Sequence, residues 1–265
     1  MSTGRRTPAT GATGVLAPWA IRAAHAALGS TMLTARNRRL VVGVSGASGS
    51  IYAIRLLEAL RPVPDVETHL VISSAGKRTL LLETDYAVAD LQALADHCYQ
   101  QADVGAAIAS GSFRTDGMVV IPCSIKTVSG IASSYSDNLL LRAADVILKE
   151  RRRLVLVVRE TPLHLGHLRL LTQVTELGAI VQPPVPAFYT RPRSVDDIVN
   201  HSVARVLDVL GIDLEHQLAP RWNPAAFGAR LDGAPGPVRS LDHARAAAGD
   251  SRGLTPPREP RRSQA

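Results

Sequence analysis

The succession of apolar runs along the chain predicts a single doubly wound α/β domain, a parallel sheet covered by helices on both faces. Three observations lead there. Short continuous apolar stretches without polar alternation, such as LVVGV at 40–44 and LVLVV at 154–158, suit strands buried on both sides. Longer segments of helical character separate them, as a parallel sheet needs in order to reconnect its strands. The first strand also leaves through a Gly/Ser turn into a helix, the layout of an anion-binding βα junction.

Taken in order, strands are expected at Leu40–Val44, His69–Ser73, Met118–Pro122, Leu154–Val158 and Gly178–Val181. Helices are expected at Ser50–Arg61, Ala75–Leu82, Asp137–Glu150, Leu163–Leu177 and Val195–Leu210. Arg55, Glu58 and Arg61 recur every third residue, which predicts one wet stripe on an otherwise buried first helix. No internal repeat is visible.

The net charge of +7 suggests nucleic acid until it is located. Residues 1–38 hold five arginines and no acid, and residues 223–265 hold seven arginines against four acids, which leaves 39–222 near −1. The basicity belongs to the tails, so no nucleic-acid partner is expected. The 1–38 extension reads as disordered, targeting-like, or the product of a start upstream of Met32; the 223–265 tail, rich in Pro, Gly, Ala and Arg, reads as disordered. Arg22 and His25 break the best apolar stretch, so no membrane span is expected. Cys98 and Cys123 are the only cysteines, which argues against a disulfide framework and for a reducing, cytoplasmic setting.

In a doubly wound sheet, ligands bind beyond the carboxyl ends of the strands. After strand one comes Ser45-Gly46-Ala47-Ser48-Gly49, with glycines at 43, 46 and 49. That G-x-x-G-x-x-G spacing is neither the dinucleotide fingerprint nor a triphosphate P-loop. The glycines would let backbone approach a ligand; the plain reading is a βα turn with a serine cap. Ser73-Ser74 follows strand two, where a dinucleotide site would place an acid. PCSIKT follows strand three, offering Ser124, Ile125, Lys126 and Thr127, with Ser124 alternatively a helix cap. Cys123 reads as a small buried thiol. Arg159 and Glu160 follow strand four, suited to a site or to a structural ion pair. The cations at 149–153 end a helix and read as mostly solvated. His164 and His167 lack a completing ligand, so no metal is expected. The stiff PPVPAFYTRP segment, 183–192, presents Phe188 and Tyr189. A mononucleotide with one phosphate monoester fits this set, and FMN is the natural candidate.

The run VSGASGS (44–50), ETD (83–85), PCSIKTVSGI (122–131), RAADVILKERR (142–152), VVRETPLHLGHL (157–168) and PPVPAFYTRP (183–192) resembles the UbiX-type flavin prenyltransferases over about 39–222. The resemblance implies a flavodoxin-like FMN-binding domain assembled as a homododecamer with sites between subunits. It further implies dimethylallyl transfer from dimethylallyl phosphate to N5 and C6 of reduced FMN, with the product handed to a UbiD-type decarboxylase. Carried over by position, Gly46, Ala47, Ser48, Ser73, Ser124 to Thr127 and Arg159 would bind FMN. Arg142, Tyr189, Arg205 and Trp222 would bind the allyl donor. Ser48, Glu83, Lys149 and Glu160 would act in catalysis, with Glu160 or the released phosphate taking the C6 proton. Arg153 and Ser50 depart from the family's usual Pro and Ala, away from that chemistry. The competing readings are a phosphopantothenoylcysteine-type cysteine decarboxylase, which shares fold and flavin, and a non-catalytic FMN carrier.

Overall fold

The computed structural model describes residues 37–224; apart from their inner two residues, of which Arg38 opens the first strand, the 1–38 extension and the 223–265 tail lie outside them. The chain divides at Pro220 into two units, the second beginning at Arg221. The first unit is one six-stranded parallel sheet in the order β3-β2-β1-β4-β5-β6. Its elements are β1 (Arg38–Val44), α1 (Ser50–Leu60), β2 (Val66–Ile72), α2 (Ser74–Glu83), α3 (Val88–Gln92), β3 (His97–Tyr99) and β4 (Gly117–Cys123). There follow α4 (Ile125–Ala132), α5 (Leu139–Lys149), β5 (Arg153–Val158), α6 (Leu165–Glu176), β6 (Ile180–Val181) and α7 (Val195–Leu210). Strand order reverses between β1 and β4, which opens the crevice where such folds take ligands.

Apolar alternation along the strands sends side chains to two separate cores. Val42 and Val44 pack with α1 and α7, whereas Val41, Met118 and Val120 pack with α4 and α5. All seven residues of β4 are buried, as a central strand covered on both faces must be.

The five expected strands and five expected helices are present, and the structure adds β3, α3 and α4. Strand β3 is too short to give a periodic signal, and α4 starts inside the PCSIKT segment and runs on to Ala132, its start capped as Ser124 allowed, with Ser124 Oγ accepting from Thr127 N at 3.3 Å. Strand β2 begins three residues before the expected His69, because Glu67-Thr68-His69 is polar yet lies in the ladder. Thr68 is satisfied there by Asp96, whose carboxylate accepts from both its N–H and its hydroxyl at 2.7 Å.

Two charge readings change. Arg55 is not part of a wet stripe: it pairs with Glu58 at 3.2 Å and reaches Asp196 at 3.0 Å, tying α1 to α7. Arg152 is not solvated either; it donates to the carbonyls of Phe113 at 3.1 Å and Gly111 at 2.8 Å.

The glycines of the first loop answer to packing. A Cβ on Gly46 would lie 2.4 Å from Cβ of Ala75, and one on Gly76 would lie 2.7 Å from the carbonyl oxygen of Val44. Loop and α2 therefore touch backbone to backbone. Gly76→Ala is expected to cost about 1–3 kcal/mol, because the obstructing atom belongs to a central strand and cannot step aside. Urea unfolding of the variant checks this; an unchanged midpoint would remove the close approach as the reason for glycine.

Candidate active site

The crevice is built on the β1–α1 loop. Ser45, 1% exposed, donates its hydroxyl to Pro122 O at 3.0 Å and accepts from Ser124 N at 2.8 Å. One hydroxyl thereby bolts the β1 loop to the β4 loop across the switch point. Sequence reading treated Ser45 only as one of several loop hydroxyls; nothing local marks its partners, which lie 77 and 79 residues away.

Helix α1 opens on Gly49 with φ +111°, a left-handed backbone that favours glycine, and without a side-chain cap of its own. Glu83 does the capping. Its Oε2 accepts from Gly49 N at 2.8 Å and from Ser50 N at 3.0 Å. The helix entrance expected to grip a phosphate thus already holds a carboxylate, which satisfies two of its donors and complements the helix dipole. Burial alone would raise the Glu83 pKa, but hydrogen bonds from the Ser48 side chain and the two amides outweigh it and hold the group below the ordinary carboxylate range. Glu83 and Ser48 are thus in direct contact.

What remains for an anion is the loop itself. The N–H groups of Gly46, Ala47 and Ser48 have no partner among the described residues. Ser73 Oγ accepts from Gly76 N at 2.9 Å, so its own proton is still available to donate. Ser124 Oγ lies 3.1 Å from Thr127 Oγ1. Arg159, exposed after β5, gives its N–H to Cys123 O at 3.1 Å; burial raises the Tyr52 pKa, and the Ser202 hydroxyl and then the Arg159 charge offset part of that rise. Lys126 is exposed on the first turn of α4, beside Ile125. Glu160 is exposed and accepts from Thr161 N at 3.1 Å. Cys123 is fully buried, and that burial pushes its thiol pKa up, as suits a structural thiol rather than a nucleophile.

The other expected residues fall into separate groups. Tyr189 OH meets His201 Nε2 at 3.1 Å, and Arg205, one turn further along α7, pairs with Asp208 at 2.7 Å. His201 and Arg205 line a cavity of about 320 Å³ with Tyr52, Gln182, Pro183 and Ser202. Burial, then the Arg205 charge, lowers the His201 pKa, so its ring is neutral at neutral pH. Arg142 turns to Ala109 O at 3.2 Å and Asp145 at 2.9 Å. Lys149 pairs with Glu150 at the far end of α5, about 15 Å along the helix axis from the Asn138 cap. That end adjoins the start of β5, whereas Ser48 follows the finish of β1. Within one chain the fold does not bring Lys149 to the Ser48 loop. Trp222 belongs to the second unit.

Comparison with known proteins meets this geometry at the family level. A flavoprotein family model matches residues 29–207. The flavin prenyltransferase UbiX of Escherichia coli (strain K12) is 62% identical over 188 residues, covering 71% of this chain and 100% of that protein. The chain belongs to the UbiX-type flavin prenyltransferase family. Two solved structures agree. The crystal structure of AnUbiX (PadA1) in complex with FMN and dimethylallyl pyrophosphate matches at 49% identity and TM-score 0.69, over 71% of this chain and 98% of that one. A dodecameric FMN-dependent UbiX-like decarboxylase from Escherichia coli O157:H7 matches at 55% identity and TM-score 0.68, over 70% and 99%. The fold class is that of the family, flavodoxin-like and doubly wound.

The Glu83 cap predicts a pH dependence. Because its folded pKa is depressed, its charge stabilises the fold above the ordinary carboxylate range, near pH 4.3, and that gain is lost as pH falls through the lowered folded value. Glu83→Gln should lower the urea midpoint at pH 7, and the gap to the unmodified chain should close as pH drops below about 4. A gap that is independent of pH would mean that the charge is not involved.

Proposed function

We propose that this chain is a flavin prenyltransferase, moving a dimethylallyl group from dimethylallyl phosphate to N5 and C6 of reduced FMN. The observation behind this reading is the loop at 46–48, three consecutive amides open to an anion beside the Ser48–Glu83 contact. The amides of Gly46 to Ser48, the hydroxyls of Ser73, Ser124 and Thr127, the Ile125–Lys126 turn and Arg159 would hold the flavin mononucleotide by its phosphate and ring edge. The reduced flavin supplies the nucleophilic ring, and the protein's part is to position and to neutralise charge.

Breaking an allylic C–O bond leaves negative charge on the departing phosphate. Arg142, Lys149 and Arg205, with the Tyr189 hydroxyl, are the donors for that charge, and a monophosphate is small enough to be met by cations alone. Ser48 and Glu83 would line the reacting face, with Glu160 a candidate for the C6 proton and Trp222 a cover. Because Lys149 stands at the opposite end of α5 from the Ser48 loop, we place the complete site between copies of the chain. Exposed Leu82 at 85%, Val185 at 70%, Phe188 at 73% and Val195 at 75% support such an assembly, of the dodecameric kind described for the relative. A UbiD-type decarboxylase is the proposed recipient of the product. No helix among the described residues is long and apolar enough to cross a membrane, and both cysteines are free, which suits a reducing cytoplasm.

Purified chain incubated with reduced FMN and dimethylallyl phosphate should yield a flavin heavier by one C5H8 unit in mass spectrometry; unmodified flavin with every allyl donor would overturn the reading in favour of a carrier. Ser48→Ala should keep FMN and lose turnover by about 100-fold, while loss of FMN alone would make Ser48 only a pocket residue. Co-expressed Ser48→Ala and Lys149→Ala chains should regain activity that neither homogeneous assembly has. A mixture as inactive as its parents would place both residues in one chain's site.

A further inference from the structure

Away from the crevice, three potential metal ligands meet on the face that β2 and β3 turn toward α5. His69 and His97 are direct partners in the parallel ladder, and Glu67 lies two residues before His69, so all three side chains leave the sheet on one side. Their rings stack with centroids 4.8 Å apart and planes at 14°. Glu67 Oε1 stands between them, 3.2 Å from His69 Nε2 and 3.0 Å from His97 Nε2. The three donor atoms lie within 4.8 Å of one another.

Hydrogen bonding alone leaves this cluster incomplete. His69 is 1% exposed, and its Nε2, 3.2 Å from Glu67 Oε1, makes no well-formed hydrogen bond with it. A buried ring nitrogen without a well-formed hydrogen bond is costly, and the other two donors lie close to it. A tetrahedral ion with bonds near 2.1 Å would want its donors about 3.4 Å apart, a few tenths of an ångström from the separations to Glu67. The outer contacts are also those that a bound metal requires. Tyr99 OH lies 2.9 Å from His69 Nδ1 and can take its proton, which turns the Nε2 lone pair inward. Arg39 donates from Nε to Glu67 Oε2 at 3.1 Å, holding the second oxygen away, and stacks over Phe113.

We propose that Glu67, His69 and His97 form a zinc site that clamps the three-residue edge strand β3 to β2. Two imidazoles and one carboxylate suit a borderline ion such as Zn²⁺ over Mg²⁺ or Ca²⁺. With the two rings nearly parallel and 4.8 Å apart their lone pairs do not yet converge, so His97, half exposed, turns inward to bring its Nε2 to the shared ion and leaves a fourth position for water. The residues stand along the side of the sheet, at the stem of β2, not at the strand ends that build the crevice. The site is therefore independent of the flavin reaction.

Full-length chain stripped with a chelator and dialysed against Zn²⁺ should retain one ion per chain by elemental analysis. Co²⁺ in its place should give the intense visible bands of a tetrahedral site. His97→Ala, a change at a half-exposed ring, should weaken Zn²⁺ binding by at least about tenfold and abolish the Co²⁺ bands. Glu67→Gln should do likewise, whereas Cys98→Ser, whose thiol turns to Gln92 O at 3.3 Å, should change neither. No retained Zn²⁺, or equal affinity in the unmodified chain and His97→Ala, overturns the proposal.

Discussion

The contact on which the active-site architecture depends is one carboxylate against one helix start. Glu83, at the last turn of α2, reaches the first N–H groups of α1 and the Ser48 hydroxyl. A helix entrance without a partner would leave donors unsatisfied and a positive dipole end exposed. Supplying the partner from α2 joins two helices and the loop between β1 and α1 into one unit. Gly46 and Gly76 make that union possible by removing the atoms that would keep the backbones apart. The same contact leaves the three amides before Gly49 without a partner among the described residues, so spent and unspent donors are divided within five residues.

A second division runs through the charges. The 46–48 loop lies at the carboxyl ends of the strands, while Lys149 is carried to the other end by α5. Many of the ion pairs within the chain are local, as Arg142–Asp145, Lys149–Glu150 and Arg205–Asp208 are. Such pairs at a half-exposed surface are weak and exchange readily for a phosphate.

Much of the fold was legible from the residues. Continuous runs such as LVVGV and LVLVV could only be buried strands, and α7 falls at the expected limits because Ser194 caps it and Gly211 ends it, both local signals. Strand β3 and the polar start of β2 were not legible. HCY has too few residues for a period, and Glu67-Thr68-His69 resembles a loop until Asp96, Tyr99 and Arg39 arrive to satisfy it. Arg55 and Arg152 were misjudged for the same reason: an arginine's partners are unknown until distant segments meet it.

The amino-acid order by itself determined the layered α/β plan, the residues at the strand ends and the family motifs, because burial patterns and turn chemistry act over a few neighbours. Tertiary structure alone decided which donors are already spent. Glu83 takes the helix entrance, Ser45 spans two loops, and His69 keeps a buried nitrogen without a partner beside Glu67. Each of these depends on groups brought together from remote parts of the chain, and hydrogen bonding is too short-ranged and directional to be read before they meet.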